Sequence, residues 1–120
     1  MPRVLVVDDE AGVRESIRMV LRGECDVVGA DSVDAALRAL ATSRIDLVLL
    51  DLVMPGRDGF ALLEELAKQA AAPPVIVLTA TRAAQAAERA LALGAADCMR
   101  KPFEVDVLRA RVRELVGKER

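Results

Sequence analysis

Five side chains in this 120-residue sequence stand where candidate strands end: Asp8 and Asp9 after VLVV, Asp51 after LVLL, Thr79 after VIVL and Lys101 after DCMR. Each has an ordinary use. Aspartates favour helix starts and turns, threonine suits a strand, and a lone lysine suits solvent. Independent accidents, however, would not all fall at the same end of one sheet. Carboxylates gathered within a few ångströms repel one another by about 3–4 kcal/mol per close pair at an effective dielectric near 20. One lysine offsets part of this, and a hard divalent cation, Mg²⁺ or Mn²⁺, offsets the rest. Mg²⁺ takes one or two carboxylates and leaves room for phosphate oxygens. A carboxylate beside such a cation, an ammonium and a hydroxyl suits a phosphoryl group. Asp51 would then be the nucleophile and an acyl phosphate the product.

The elements that must position these groups follow from periodicity. Apolar runs predict strands over 4–7, 26–29, 45–50, 75–78 and 97–100. The first, third and fourth are nearly continuous Val, Leu and Ile, as in parallel strands covered on both faces. The second and fifth are more polar and belong near the edges. Between them lie helical stripes: Val13, Ile17, Val20 and Leu21; Val33, Ala36, Leu37 and Leu40; Phe60, Leu63, Leu66 and Ala67; Val105, Leu108, Val112 and Leu115. A fourth helix over 82–93 is so alanine-rich that its buried face is not legible. Ser32 reads as an N-cap and Gly94 as a helix stop. Alternation of strand and helix predicts an α/β fold: a doubly wound, five-stranded parallel sheet of order 2-1-3-4-5 with helices on both faces. Ligands of such sheets bind outside the carboxyl ends of the strands, where the five side chains stand.

Composition removes several alternatives. The chain has no histidine, so imidazole catalysis and His-ligated metals are excluded within it. Net charge is −2 with no long run of one sign, which gives no basis for nucleic-acid or membrane-surface binding. MPRVLVVDDE does not read as a signal peptide, and no apolar run approaches a membrane span. Cys25 and Cys98, far apart and outside any CxxC, read as free buried thiols of a reducing cytoplasm. A haloacid-dehalogenase-type phosphatase needs a second Asp two residues after the first, and here Val53 stands there. A dinucleotide-binding domain would want G-x-G-x-x-G where the chain has Asp8-Asp9-Glu10.

VLVVDDE, LVLLDLVMPGRDG, VIVLTA, LGAAD and KPF, in this order and spacing, resemble the receiver domain of two-component response regulators over essentially the full length, 1–120. The resemblance implies the flavodoxin-like receiver fold and a phosphorylation-activated switch, not a turnover enzyme. Asp51 would take a phosphoryl group from the phosphohistidine of a sensor histidine kinase or a histidine phosphotransfer protein. Asp8, Asp9, Asp51 and the backbone carbonyl of Val53 would hold Mg²⁺. Thr79 and Lys101 would bind phosphoryl oxygens and act in the switch, and the Lys101–Pro102 peptide would be cis. Output, including homodimer contact, would run through the fourth helix, fifth strand and fifth helix. Arg109, Arg111 and Arg113 on that last helix read either as a solvated face or as partner contacts. Residues 117–120 read as a frayed end or as the start of a linker to an effector domain.

The sequence also departs from the family pattern. Cys98 occupies the position of the switch aromatic, and Arg57 stands where Met is common. Val53 and Thr81 bring no acid or amide to position an attacking water, so a long-lived phosphoryl state is expected. The alternative function is an unphosphorylated pseudo-receiver that serves only as an interaction module. Cys98 is the one feature in its favour.

Overall fold

The computed structural model describes residues 1–52, 54, 59–80 and 84–117. Its elements alternate as expected: β1 (Arg3–Val7), α1 (Ala11–Val20), β2 (Asp26–Ala30), α2 (Val33–Thr42), β3 (Leu47–Leu50), α3 (Gly59–Ala67), β4 (Val75–Thr79), α4 (Ala84–Ala92), β5 (Asp97–Arg100) and α5 (Val105–Gly117). All strand pairs are parallel, in the order β2-β1-β3-β4-β5. The two more polar strands, β2 and β5, are the edges.

Alternation along the central strands divides the core in two. Val4, Val6, Leu47, Leu49, Ile76 and Leu78 point to the side covered by α1 and α5. Leu5, Val7, Val48, Leu50, Val75 and Val77 point to the side covered by α2, α3 and α4. Successive strand residues face opposite ways, so a strand with both faces covered must be apolar throughout. That is the physical reason for the unbroken runs VLVV, LVLL and VIVL. Each fully buried Leu or Ile contributes about 2 kcal/mol, and with only two phenylalanines as aromatics the core relies on many such residues.

Local signals match the structure at two helix ends. Ser32 accepts a hydrogen bond from the Ala35 amide at 3.1 Å and caps α2. Gly94 has φ +107°, a left-handed conformation costly for other residues, and its amide reaches the Leu91 carbonyl after α4. Three expectations need adjustment. The third strand starts at Leu47 rather than at 45: the Asp46 amide still donates to the Arg3 carbonyl at 2.8 Å, but the Arg3 amide is taken by the Asp46 carboxylate at 2.8 Å. The buried stripe of α3 is Gly59, Leu62, Leu63 and Leu66, while Ala67 is exposed. Leu62 and Ala67 are both apolar, and only the docking angle of the helix decides between them. Val105, placed in the α5 stripe, is also exposed, while Leu108, Val112 and Leu115 are buried. Alanine-rich α4 buries Ala90, with Ala86 and Leu93 partly covered.

Candidate functional site

Strand register gathers the polar groups. Val7 of β1 is level with Leu50 of β3, so the next residues, Asp8 and Asp51, leave the sheet side by side. The Asp51 amide donates to the Val7 carbonyl at 2.9 Å, and the Asp8 amide to the Ala30 carbonyl at 3.0 Å. On the other side of β3, Thr79 ends β4 level with Arg100 of β5, and the Lys101 amide donates to the Thr79 carbonyl at 2.8 Å. The sheet's own ladder thus delivers an acid pair, a hydroxyl and a lysine to one edge.

Asp8, Asp51 and Thr79 are the buried polar or charged residues among those described. The Lys101 ammonium joins the two acids, 2.7 Å from Asp8 Oδ2 and 3.4 Å from Asp51 Oδ2. Burial is the largest single influence on Lys101 and pulls its pKa down. The hydrogen bond to Asp8 and the charges of Asp51 and Asp8 together outweigh burial and raise the pKa above the usual lysine value. The group is therefore a fixed positive charge at neutral pH. The Lys101–Pro102 peptide is cis, as the resemblance implied.

Asp8 is held through all of its polar atoms. Oδ1 accepts from the Glu10 amide at 2.9 Å, Oδ2 from Lys101, and the carbonyl from Arg14 Nη1 at 2.7 Å, while the amide is in the sheet ladder. Asp9 and Glu10 are exposed beside it, and Asp8, Asp9 and Glu10 each offer an oxygen within 4.8 Å of the other two. Such an all-oxygen set suits a hard divalent cation in donor type and charge. Asp51 joins this trio through the shared ammonium. A hollow of about 380 Å³ lined by Glu10, Gly12, Val13, Ser16, Lys101, Pro102 and Phe103 opens next to the lysine.

Gly59 brings the loop after Asp51 back to the sheet. Its amide donates to the Leu52 carbonyl at 3.1 Å, and a Cβ there would lie 2.7 Å from the Asp51 carbonyl oxygen. Any side chain at this position would push on the strand end that carries Asp51.

Asp8, Asp51, Thr79 and Lys101 are thus brought together, with Asp9 at the rim. Val53, Arg57 and Thr81 lie outside the described residues. Cys98, in β5, is only partly buried and packs against the α2–α3–α4 side; Cys25 is fully buried, and both thiols are free. Burial, then the Asp97 charge, raises the Cys98 pKa, which keeps it a neutral, slow nucleophile. The three arginines of α5 form ion pairs within the chain while staying partly exposed. Arg113 Nε meets Glu24 at 2.7 Å, Arg109 meets Glu24 at 3.5 Å, and Arg111 meets Asp97 at 2.8 Å and Glu114 at 2.7 Å. The site role of Glu10 and the bond from Arg14 were not singled out from the sequence. Glu10 could have been, as the third acid of DDE. Arg14 carried no signal, because nothing local says where a long side chain ends.

Residues 4–113 match the family described as the response regulator receiver domain. The chain is 39% identical over 114 residues to the KDP operon transcriptional regulatory protein KdpE of Escherichia coli (strain K12), covering 94% of this chain and 50% of that protein. It is 40% identical over 115 residues to the response regulator protein PmrA of Pseudomonas aeruginosa, covering 94% and 52%. The chain therefore spans about half the length of these curated relatives. Among solved structures, the Francisella response regulator 1452 receiver domain superimposes with TM-score 0.92 at 32% identity, covering 100% of both chains. With the strand order, the acid pair and the lysine in place, the chain belongs to the response regulator receiver domain family.

Proposed function

We propose that this receiver domain is a phosphorylation-activated switch with Asp51 as phosphoryl acceptor. The observation that carries the reading is the Lys101 ammonium, bonded to both Asp8 and Asp51 at the sheet edge. The donor is a phosphohistidine on a sensor histidine kinase or histidine phosphotransfer protein, since this chain has no histidine. An Asp51 carboxylate oxygen forms the bond to phosphorus as the P–N bond to the imidazole breaks, and the imidazole leaves with the electron pair. Asp8, Asp9 and Asp51, with the Val53 carbonyl, would hold Mg²⁺ or Mn²⁺, which would supply positive charge against the transferred group. Lys101 and Thr79 then donate to phosphoryl oxygens, and Lys101 exchanges its Asp51 contact for one of them. Moving these two groups pulls on the ends of β4 and β5, which carries the state of Asp51 to α4, β5 and α5. That face is the proposed surface for effector or homodimer contact. At Cys98 the relay runs without an aromatic ring. We place the domain in the cytoplasm, with the kinase's catalytic parts; among the described residues no helix is long and apolar enough to cross a membrane.

Incubation with acetyl phosphate and Mg²⁺, followed by intact-mass measurement, tests the reading. Wild-type protein should gain one phosphoryl group, and Asp51→Asn should gain none. Equal masses for wild type before and after incubation would favour the pseudo-receiver, the reading that Cys98 supports.

A further inference from the structure

The Asp8 carbonyl is an unusual place for an arginine to end. Asp8 is 2% exposed, so its carbonyl is shielded from water while the side chain at residue 14 covers it. Three of its polar contacts come from the sheet, the Glu10 amide and Lys101; the fourth comes from Arg14, whose own amide donates to the Glu10 carbonyl at 3.2 Å. Arg14 therefore grips both ends of the Asp8–Glu10 turn, one through its backbone and one through its side chain. To reach Asp8, the side chain crosses the edge strand at Gly29. A Cβ at Gly29 would lie 3.3 Å from Arg14 Cδ and 3.4 Å from its Nε, tighter than ordinary contact. The strand residue beneath the arginine has no side chain, and the space is filled by the guanidinium's stem.

We infer that Arg14 is a positioning residue for cation binding: it fixes the Asp8–Glu10 turn so that Asp8 and Asp9 are held where a cation shared with Asp51 would need them, and Gly29 is the gap it needs. The inference rests on the metal reading given above. Its sign separates it from simple electrostatics. A positive charge beside a carboxylate cluster opposes a cation, so charge alone says that removing Arg14 tightens Mg²⁺ binding. Positioning says that removal weakens it, because an unpartnered buried carbonyl must turn toward solvent and take the turn with it. Arg18, one turn later on the same helix, provides the control: it donates to the Val27 carbonyl at 3.0 Å, away from Asp8.

The test is calorimetric titration of MgCl₂ into the intact chain, which has no tryptophan to report binding by fluorescence. Arg14→Met should weaken Mg²⁺ about tenfold, in the range of lost supporting contacts around metal ligands. Arg14→Lys, which retains one donor, should recover most of the loss, and Arg18→Met should bind as wild type does. Gly29→Val should reproduce the Arg14→Met loss with Arg14 still present, while melting no lower than wild type without metal, because valine favours a strand. This variant carries the test if Arg14→Met fails to fold. Equal or tighter binding by Arg14→Met, or wild-type affinity in Gly29→Val, overturns the inference alone. Wild-type protein that binds no Mg²⁺ overturns the metal reading and the inference with it.

Discussion

Two sets of ion pairs in this molecule use similar atoms to different ends. At the site edge, Lys101 serves Asp8 and Asp51, and all three side chains are at most 16% exposed. On the outside of α5, Arg109 and Arg113 serve Glu24, with side chains 32–62% exposed. The first set holds charges that the fold has already removed from water, so losing one partner strands the others. The second is a solvated clasp between α5 and the segment before β2, where water and salt take over any vacated role. Burial, not the number of contacts, decides which set matters.

The largest effect should come from Lys101→Met. It leaves two buried acids facing each other and should cost about 3 kcal/mol in urea unfolding at pH 7 without metal. A loss below that of Glu24→Gln would erase the distinction between the sets. The pH dependence follows from the raised lysine pKa. The folded state binds this proton more tightly than the unfolded chain, so the contribution is complete below about pH 10.4, the ordinary lysine value. It is lost as pH rises through the higher folded value, so the wild-type and Lys101→Met stability curves should converge at alkaline pH.

A second effect sharpens the same contrast. Mg²⁺ should raise the unfolding temperature of the wild type, because a ligand that binds only the folded site stabilises it by mass action. Replacing both Asp8 and Asp9 with Ala should abolish the rise, and an equal rise in that variant would contradict the metal assignment. Glu24→Gln, which weakens two arginine contacts at once, should cost no more than about 1 kcal/mol. The smallest expected effect is that of salt. Raising NaCl from about 0.05 to about 0.5 M should remove most of the Glu24→Gln difference while leaving the Lys101→Met difference largely intact, since exposed pairs are screened and buried ones much less.

The legibility of these sets differed in the same way. Asp8, Asp51, Thr79 and Lys101 could be picked out because each follows a strand-like segment, and strands in a parallel sheet end together. Arg109, Arg111 and Arg113 were visible as residues but not as contacts. Their partners Glu24 and Asp97 come from other elements, and helical spacing says nothing about what a helix is laid against. The exposed Ala67 and Val105 failed for a related reason: periodicity defines an apolar stripe, but docking sets its limits.

By itself, the sequence determined which segments are strands and helices, that the sheet is parallel and covered on both faces, and which side chains stand at its carboxyl edge. These follow from periods of two and 3.6 residues and from local caps, all written within a few neighbouring positions. Only the tertiary structure decided that Lys101 bonds Asp8 across 93 residues of chain more closely than Asp51, that Arg14 closes on the Asp8 carbonyl over Gly29, and that Cys98 is half-covered. Those outcomes depend on strand order, register and the reach of long side chains. Such quantities arise when distant segments meet, and no local pattern encodes them.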